Sequence, residues 1–112
     1  MQYEGKCKIL RIYLNKFTHY ENKFLYEVLV KKAHDMGLAG AMVFHGIEGF
    51  GFCCPGCRTL NLGVAASTCQ PLVAEFIDKE EKIREFLPIV KQIMKKGAIV
   101  VQDADIDFDN FQ

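Results

Sequence analysis

The residues of this chain best suited to chemistry are three cysteines in Phe52-Cys53-Cys54-Pro55-Gly56-Cys57, which follow directly on Gly46-Ile47-Glu48-Gly49-Phe50-Gly51. Thiolates bind soft metals and, when their pKa is lowered, act as nucleophiles or redox centres. Cys54 and Cys57 form a C-x-x-C pair. With Cys53 and then Cys69 or His45, that pair offers a tetrahedral donor set suited to zinc or copper(I). The same pair could instead cycle between dithiol and disulfide. The strand-into-helix context of a thioredoxin-type motif is absent, however, and Pro55-Gly56 reads as a turn. A third reading leaves the thiols as ordinary loop residues.

The glycines ahead of the cysteines suggest a different chemistry. Gly46, Gly49 and Gly51 allow the backbone to approach a ligand closely, with Phe50 beside them. Equally, they fit a strand end that needs glycine torsions. Lys95, Lys96 and Gly97 are a second candidate contact for an anion, although two lysines in the last turn of a helix also complement its dipole. His19, His34 and His45 show no ligand spacing among themselves. Glu75 and Asp78 look like paired carboxylates, yet Asp78 suits a helix cap and Glu75 alternates outward on a strand. With no nucleophile paired to a base, the sequence does not read as an enzyme.

Composition bounds these readings. The chain has 112 residues, half of them hydrophobic and a quarter charged, with 14 basic and 14 acidic side chains. One domain of residues 1–112 is expected, large enough to fold without metal or disulfides. Balanced charge without a basic run gives no footprint for nucleic acid. The N-terminus lacks an apolar leader and no apolar run approaches a membrane span, so a soluble, cytoplasmic protein is expected. Five unevenly placed cysteines do not resemble a secreted disulfide framework, and Cys7 reads as a small buried hydrophobe in a strand.

These residues need elements to position them. Lys6 to Leu14 alternates, with Lys8, Leu10, Ile12 and Leu14 on one face and Cys7, Ile9, Arg11 and Tyr13 on the other, which predicts a strand. Asn22 is the expected cap of a helix with Phe24, Leu25, Val28, Leu29, Ala33 and Met36 at helical spacing, ended by Gly37 with Leu38 behind it. Ala41 to Glu48 reads as a second strand. The stretch 49–70 lacks periodicity, apart from a short extended piece at Thr59 to Val64, and loops of that length are usually functional or mobile.

Leu72 to Ile77 reads as a third strand behind Pro71. Asp78 and Glu81 suggest a capping box for a second helix carrying Ile83, Phe86, Leu87, Val90, Ile93 and Met94, bent at Pro88. Lys95 and Lys96 fall in its last turn, and Gly97 precedes a fourth strand from Ala98 to about Gln102. The acidic tail 103–112 is expected to fray or to pack only at its end. The order βαββαβ is the ferredoxin-like pattern of the α+β class: a four-stranded antiparallel sheet with two helices on one face. Apolar residues on both faces of the first strand point to self-association.

The run from Lys32 to Val43, followed by His45-Gly46-Ile47-Glu48-Gly49-Phe50-Gly51, resembles the nitrogen regulatory PII superfamily. A closer resemblance is to the PII-like domain of unknown function 190. It is carried by Leu10 to Tyr13, Leu25 to Glu27, Gly37 to Ala41, Gly49 to Gly51, Ile77-Asp78 and Phe86 to Pro88. The resemblance implies a homotrimer with small effectors, commonly adenine nucleotides, in clefts between subunits. It also implies a mobile T-loop, here 49–70, that engages a partner such as a transporter or enzyme. Two features depart from the pattern: the Lys95-Lys96-Gly97-Ala98 connection is shorter than the Gly-rich, basic phosphate loop of nucleotide-binding PII proteins, and Cys53, Cys54 and Cys57 are not associated with the closer family.

Two functions are therefore expected in competition. One is a PII-like signalling protein that holds a nucleotide or other anion through Gly46, Gly49, Phe50, Gly51, Lys95, Lys96 and Gly97. The other is a metal-binding or thiol-sensing protein using Cys53, Cys54, Cys57 and Cys69.

Overall fold

Eight elements organise the chain, which a computed structural model describes at residues 4–51 and 70–110. They are β1 (Gly5–Asn15), β2 (His19–Tyr20), β3 (Lys23–Phe24), α1 (Leu25–Asp35), β4 (Gly40–His45), β5 (Pro71–Asp78), α2 (Glu80–Ile93) and β6 (Ala98–Ile106). The four long strands form one antiparallel sheet in the order β4-β5-β1-β6. This is the expected ferredoxin-like topology, in which the first strand lies inside the sheet and the second and fourth lie at its edges.

Alternation assigns the two sheet faces. Leu10, Ile12 and Leu14 of β1 and Leu72, Ala74 and Phe76 of β5 pack against Leu25, Leu29 and Ala33 of α1 and Ile83, Phe86, Val90 and Ile93 of α2. Phe76 and Phe86, both fully buried, meet with ring centroids 5.0 Å apart. Both helices therefore cover one face, where burial of these side chains supplies the main stabilisation. Among the described residues, nothing covers the other face of the sheet.

The punctuation of α1 follows the sequence closely at its C-terminus. Gly37, at φ +76°, donates its N–H to His34 C=O at 3.0 Å, and Leu38 donates to Ala33 C=O at 3.0 Å. This is a Schellman motif, with Leu38 packed on the core. At the N-terminus the expectation fails. Glu21 (φ +48°) and Asn22 (φ +67°) form the turn of the β2–β3 hairpin, and the residue preceding α1 is Phe24, with no side-chain cap. Two consecutive left-handed residues suit a two-residue hairpin turn, a conformation asparagine tolerates well. Phe24 then stacks on Tyr26 at 5.8 Å.

Three further expectations are corrected. Asp78 does not make a capping box with Glu81. Its buried carboxylate accepts the Ala39 N–H at 3.0 Å and the Lys79 N–H at 2.6 Å, tying the α1–β4 turn to the end of β5. Lys95 and Lys96 lie beyond α2, which ends at Ile93, so Lys91 occupies the last turn. The acids of the tail do not all fray, because β6 continues to Ile106 and Lys8 holds Asp103. α2 runs unbroken through Pro88, leaving the Arg84 carbonyl without its usual N–H partner four residues on. The piece at Thr59 to Val64 lies outside the described residues.

Candidate functional site

At one end of the sheet, three local arrangements bring the glycine-rich segment and the α2–β6 connection to the same level. β4 ends at His45, whose Nε2 lies 3.1 Å from Gln70 Oε1. Gly46 then donates its N–H to Pro71 C=O at 2.8 Å. A Cβ at Gly46 would stand 2.9 Å from Pro71 Cγ and 3.2 Å from its carbonyl oxygen, so the chain leaves β4 against β5 only because this residue is glycine. Gly49 faces the same proline with ordinary room, and Gly51 turns at φ +100°. Ile47 and Phe50 project outward, Phe50 with 66% of its surface exposed.

Gln70, on the far side of the loop, is fixed as well. Its carbonyl accepts the Lys16 N–H at 2.8 Å, joining it to the end of β1. Asn15, almost buried, steadies that corner by accepting the Phe17 N–H on Oδ1 at 2.9 Å and the Thr18 N–H on its carbonyl at 3.0 Å. The loop thus leaves and re-enters a rigid platform.

Across the sheet, Gly97 adopts φ +119°, and a Cβ there would lie 2.4 Å from Tyr13 C=O and 2.7 Å from Met94 Cε. Only glycine lets the α2–β6 connection lie this close to β1. Lys95 and Lys96 just before it are exposed, and neither has an ion partner among the described residues.

The register relates the two groups. His45 pairs with Leu72, Leu72 with Leu14, and Tyr13 with Ala98. Gly46 to Gly51 and Lys95 to Gly97 therefore share one end of the sheet but sit at its opposite edges. Three inter-strand spacings separate them, about 14 Å. The structure brings Gly46, Gly49 and Pro71 together and sets Lys95, Lys96 and Gly97 apart from them.

Cys53, Cys54, Cys57 and Cys69 lie outside the described residues. Among those described, no cluster of three or more His, Cys, Asp or Glu could hold a metal. Cys7 is buried, and that burial, with Asp105 and Asp78 nearby, pushes its thiol pKa up and keeps the sulfur protonated. Glu75 faces the open side of the sheet, where the Arg11 guanidinium donates to it at 3.0 Å. A groove of about 660 Å³ on the helical side, between α1, α2 and the hairpin, is lined by Tyr20, Val28, Ile89 and Ile93 together with charged side chains of both signs, Glu27 and Lys32 among them. It does not reach the loop base. No described helix is long and apolar enough to cross a membrane.

Sequence reasoning missed the β2–β3 hairpin and the Arg11–Glu75 pair. The first has a local signal in Glu21-Asn22 between aromatic-bearing segments. The second depends on non-local register.

Comparison with known proteins agrees with this architecture. The family model DUF190, described as Uncharacterized ACR, COG1993, matches residues 7–106. A UPF0166 protein of Aquifex aeolicus is 37% identical over 101 residues, covering 90% of this chain and 93% of the relative. One from Methanocaldococcus jannaschii is 31% identical over 102 residues, covering 90% and 92%. Among solved structures, a protein from Thermus thermophilus, named only provisionally as PII-like and signalling, aligns at TM-score 0.56 and 17% identity over 94% of this chain and 91% of that one. A functionally unknown protein from Pediococcus pentosaceus aligns at TM-score 0.54 and 14% identity, over 96% and 99%.

Proposed function

This chain belongs to the DUF190 family and has a PII-like fold, and from that premise we propose that it is a non-catalytic signal-transduction protein whose effector sits between subunits. The effector is a small anion, an adenine nucleotide being the first candidate. Its occupancy sets the state of the loop between Gly51 and Gln70, which in turn regulates a partner such as a transporter or enzyme.

The observation that carries this reading is the placement of Gly46 to Gly51 and Lys95 to Gly97 at one end of the sheet on opposite edges. In a closed ring of copies, the β4 edge of one copy faces the β6 edge of the next. With strands running along the ring axis, the end of β4 then lies beside the start of the neighbouring β6. Glycine backbone from one copy and Lys95 and Lys96 from the next converge there, which is a chemically sensible cradle for phosphate. A trimer is the expected ring.

The test is native mass spectrometry of untreated protein, followed by ATP titration of wild type and Lys95→Ala/Lys96→Ala. A trimer that binds ATP and loses about tenfold or more in affinity with the double substitution supports the reading, since hydrogen bonds to charged groups contribute about 1.5–3 kcal/mol each. A stable monomer at micromolar concentration contradicts it.

A further inference from the structure

The open face of the sheet is apolar except for Arg11 and Glu75 on the two central strands and Gln102 on β6. Met42 and Phe44 of β4 and Val100 of β6 expose 61%, 45% and 42% of their surface, with Ile9, Tyr13, Val73 and Ile77 between them by alternation and register. In one cross-strand row, Met42 faces Glu75, Glu75 faces Arg11, and Arg11 faces Val100. Arg11 also donates to Gln102 Oε1 on β6. An acid and a base thus sit side by side on the two central strands, each flanked outward by an exposed hydrophobe.

We propose that Arg11 and Glu75 set the orientation in which a second copy of this chain covers the open sheet face; this rests on the ring reading above. The occupant follows from charge. A surface that meets its own copies cannot carry net charge of one sign without opposing like charges, and this face is internally neutral, with Arg11 and Glu75 paired to each other. A charged partner of another kind would find no free counter-charge on it. Its apolar area is the driving force, and apolar contact alone is indifferent to rotation and slip.

The paired charges supply the missing selectivity. At present their side chains are 29% and 21% exposed, so the pair contributes little to the single chain. Covered by another copy, they are desolvated, and only arrangements that keep both hydrogen-bonded are tolerated. A lone polar position in an otherwise apolar contact fixes register and oligomer number in the same way in coiled coils. Gln102 accepts from a second nitrogen of the guanidinium and narrows the allowed geometry further.

The experiment is native mass spectrometry of wild type, R11M/E75L and the charge-swapped R11E/E75R over a range of concentrations. Wild type and the swap are expected to give one assembled mass, whereas R11M/E75L is expected to assemble into two or more masses. Glu75→Leu alone, which strands the Arg11 charge, is expected to weaken assembly by about a hundredfold or more. Should R11M/E75L not fold by circular dichroism, R11Q/E75Q repeats the test with both lengths nearly kept. A single mass equal to that of wild type in either folded neutral variant overturns the orienting role while leaving the ring intact. A wild type that stays monomeric overturns the ring reading and this inference together.

Discussion

Gly97→Ala offers a quantitative trial of the platform that positions Lys95 and Lys96. Two costs add at this residue. An L side chain at φ +119° is strained by about 1–3 kcal/mol. The new methyl would also stand 2.4 Å from Tyr13 C=O and 2.7 Å from Met94 Cε. Met94 can swing away, but Tyr13 is backbone in a central strand, so β6 must move, at an overpacking cost of about 1–3 kcal/mol. The sum is about 2–6 kcal/mol, which for a chain of this size lowers the melting temperature by about 8–24 °C.

Two glycines serve as internal standards. At Gly51, φ is +100° but none of the described residues lies within 4 Å, so only the backbone strain of about 1–3 kcal/mol applies. At Gly40 neither cost exists, and alanine should be neutral or stabilise by a few tenths of a kcal/mol. Thermal melts of the three alanine variants at one fixed protein concentration check the order, because association shifts apparent stability. Equal melting temperatures for the Gly97 and Gly51 variants would refute the claim that the β1 carbonyl excludes a side chain at 97.

Asp78→Ala removes the acceptor for the Ala39 and Lys79 N–H groups and is expected to cost about 2–3 kcal/mol, read from urea midpoints. Phe86→Ala, which empties the contact with Phe76, should cost about 3–5 kcal/mol in the same assay. Lys8, through its hydrogen bond, holds the Asp103 carboxyl below its usual value, and Asp103 in turn raises the Lys8 pKa. The pair's contribution is therefore lost as pH falls through the lowered carboxylate pKa, and again as pH rises through the raised lysine pKa. Both groups are solvent-facing, so Asp103→Asn should flatten the acid limb of a stability profile only slightly, and less in high salt. Cys54→Ser should leave ATP binding unchanged; its loss would move the function to the cysteine loop.

What the sequence revealed was mostly local. Gly37 with Leu38 marked a helix stop that a short hydrogen-bond pattern could complete, and the alternation of Lys6 to Leu14 marked both faces of β1. Where a residue had two local uses, the tertiary structure chose. Asn22 suits a cap and a left-handed turn equally, and the hairpin took it. Asp78 suits a helix start, but its carboxylate found the α1–β4 turn, 39 residues away in sequence at Ala39. Asp103 looked like part of a fraying tail because its partner, Lys8, lies 95 residues earlier. The candidate anion residues were visible as types, whereas their division between two edges of the sheet follows from strand order.

A subunit-mixing experiment tests the shared site most directly. Phe50→Ala damages the loop-base half and Lys95→Ala/Lys96→Ala the other half, so each assembly alone should bind ATP weakly. Unfolded and refolded together in equal amounts, they should regain tight binding at about a quarter of the sites, where two intact edges meet by chance. No recovery in mixed assemblies, confirmed by mass, would contradict a site built from two copies.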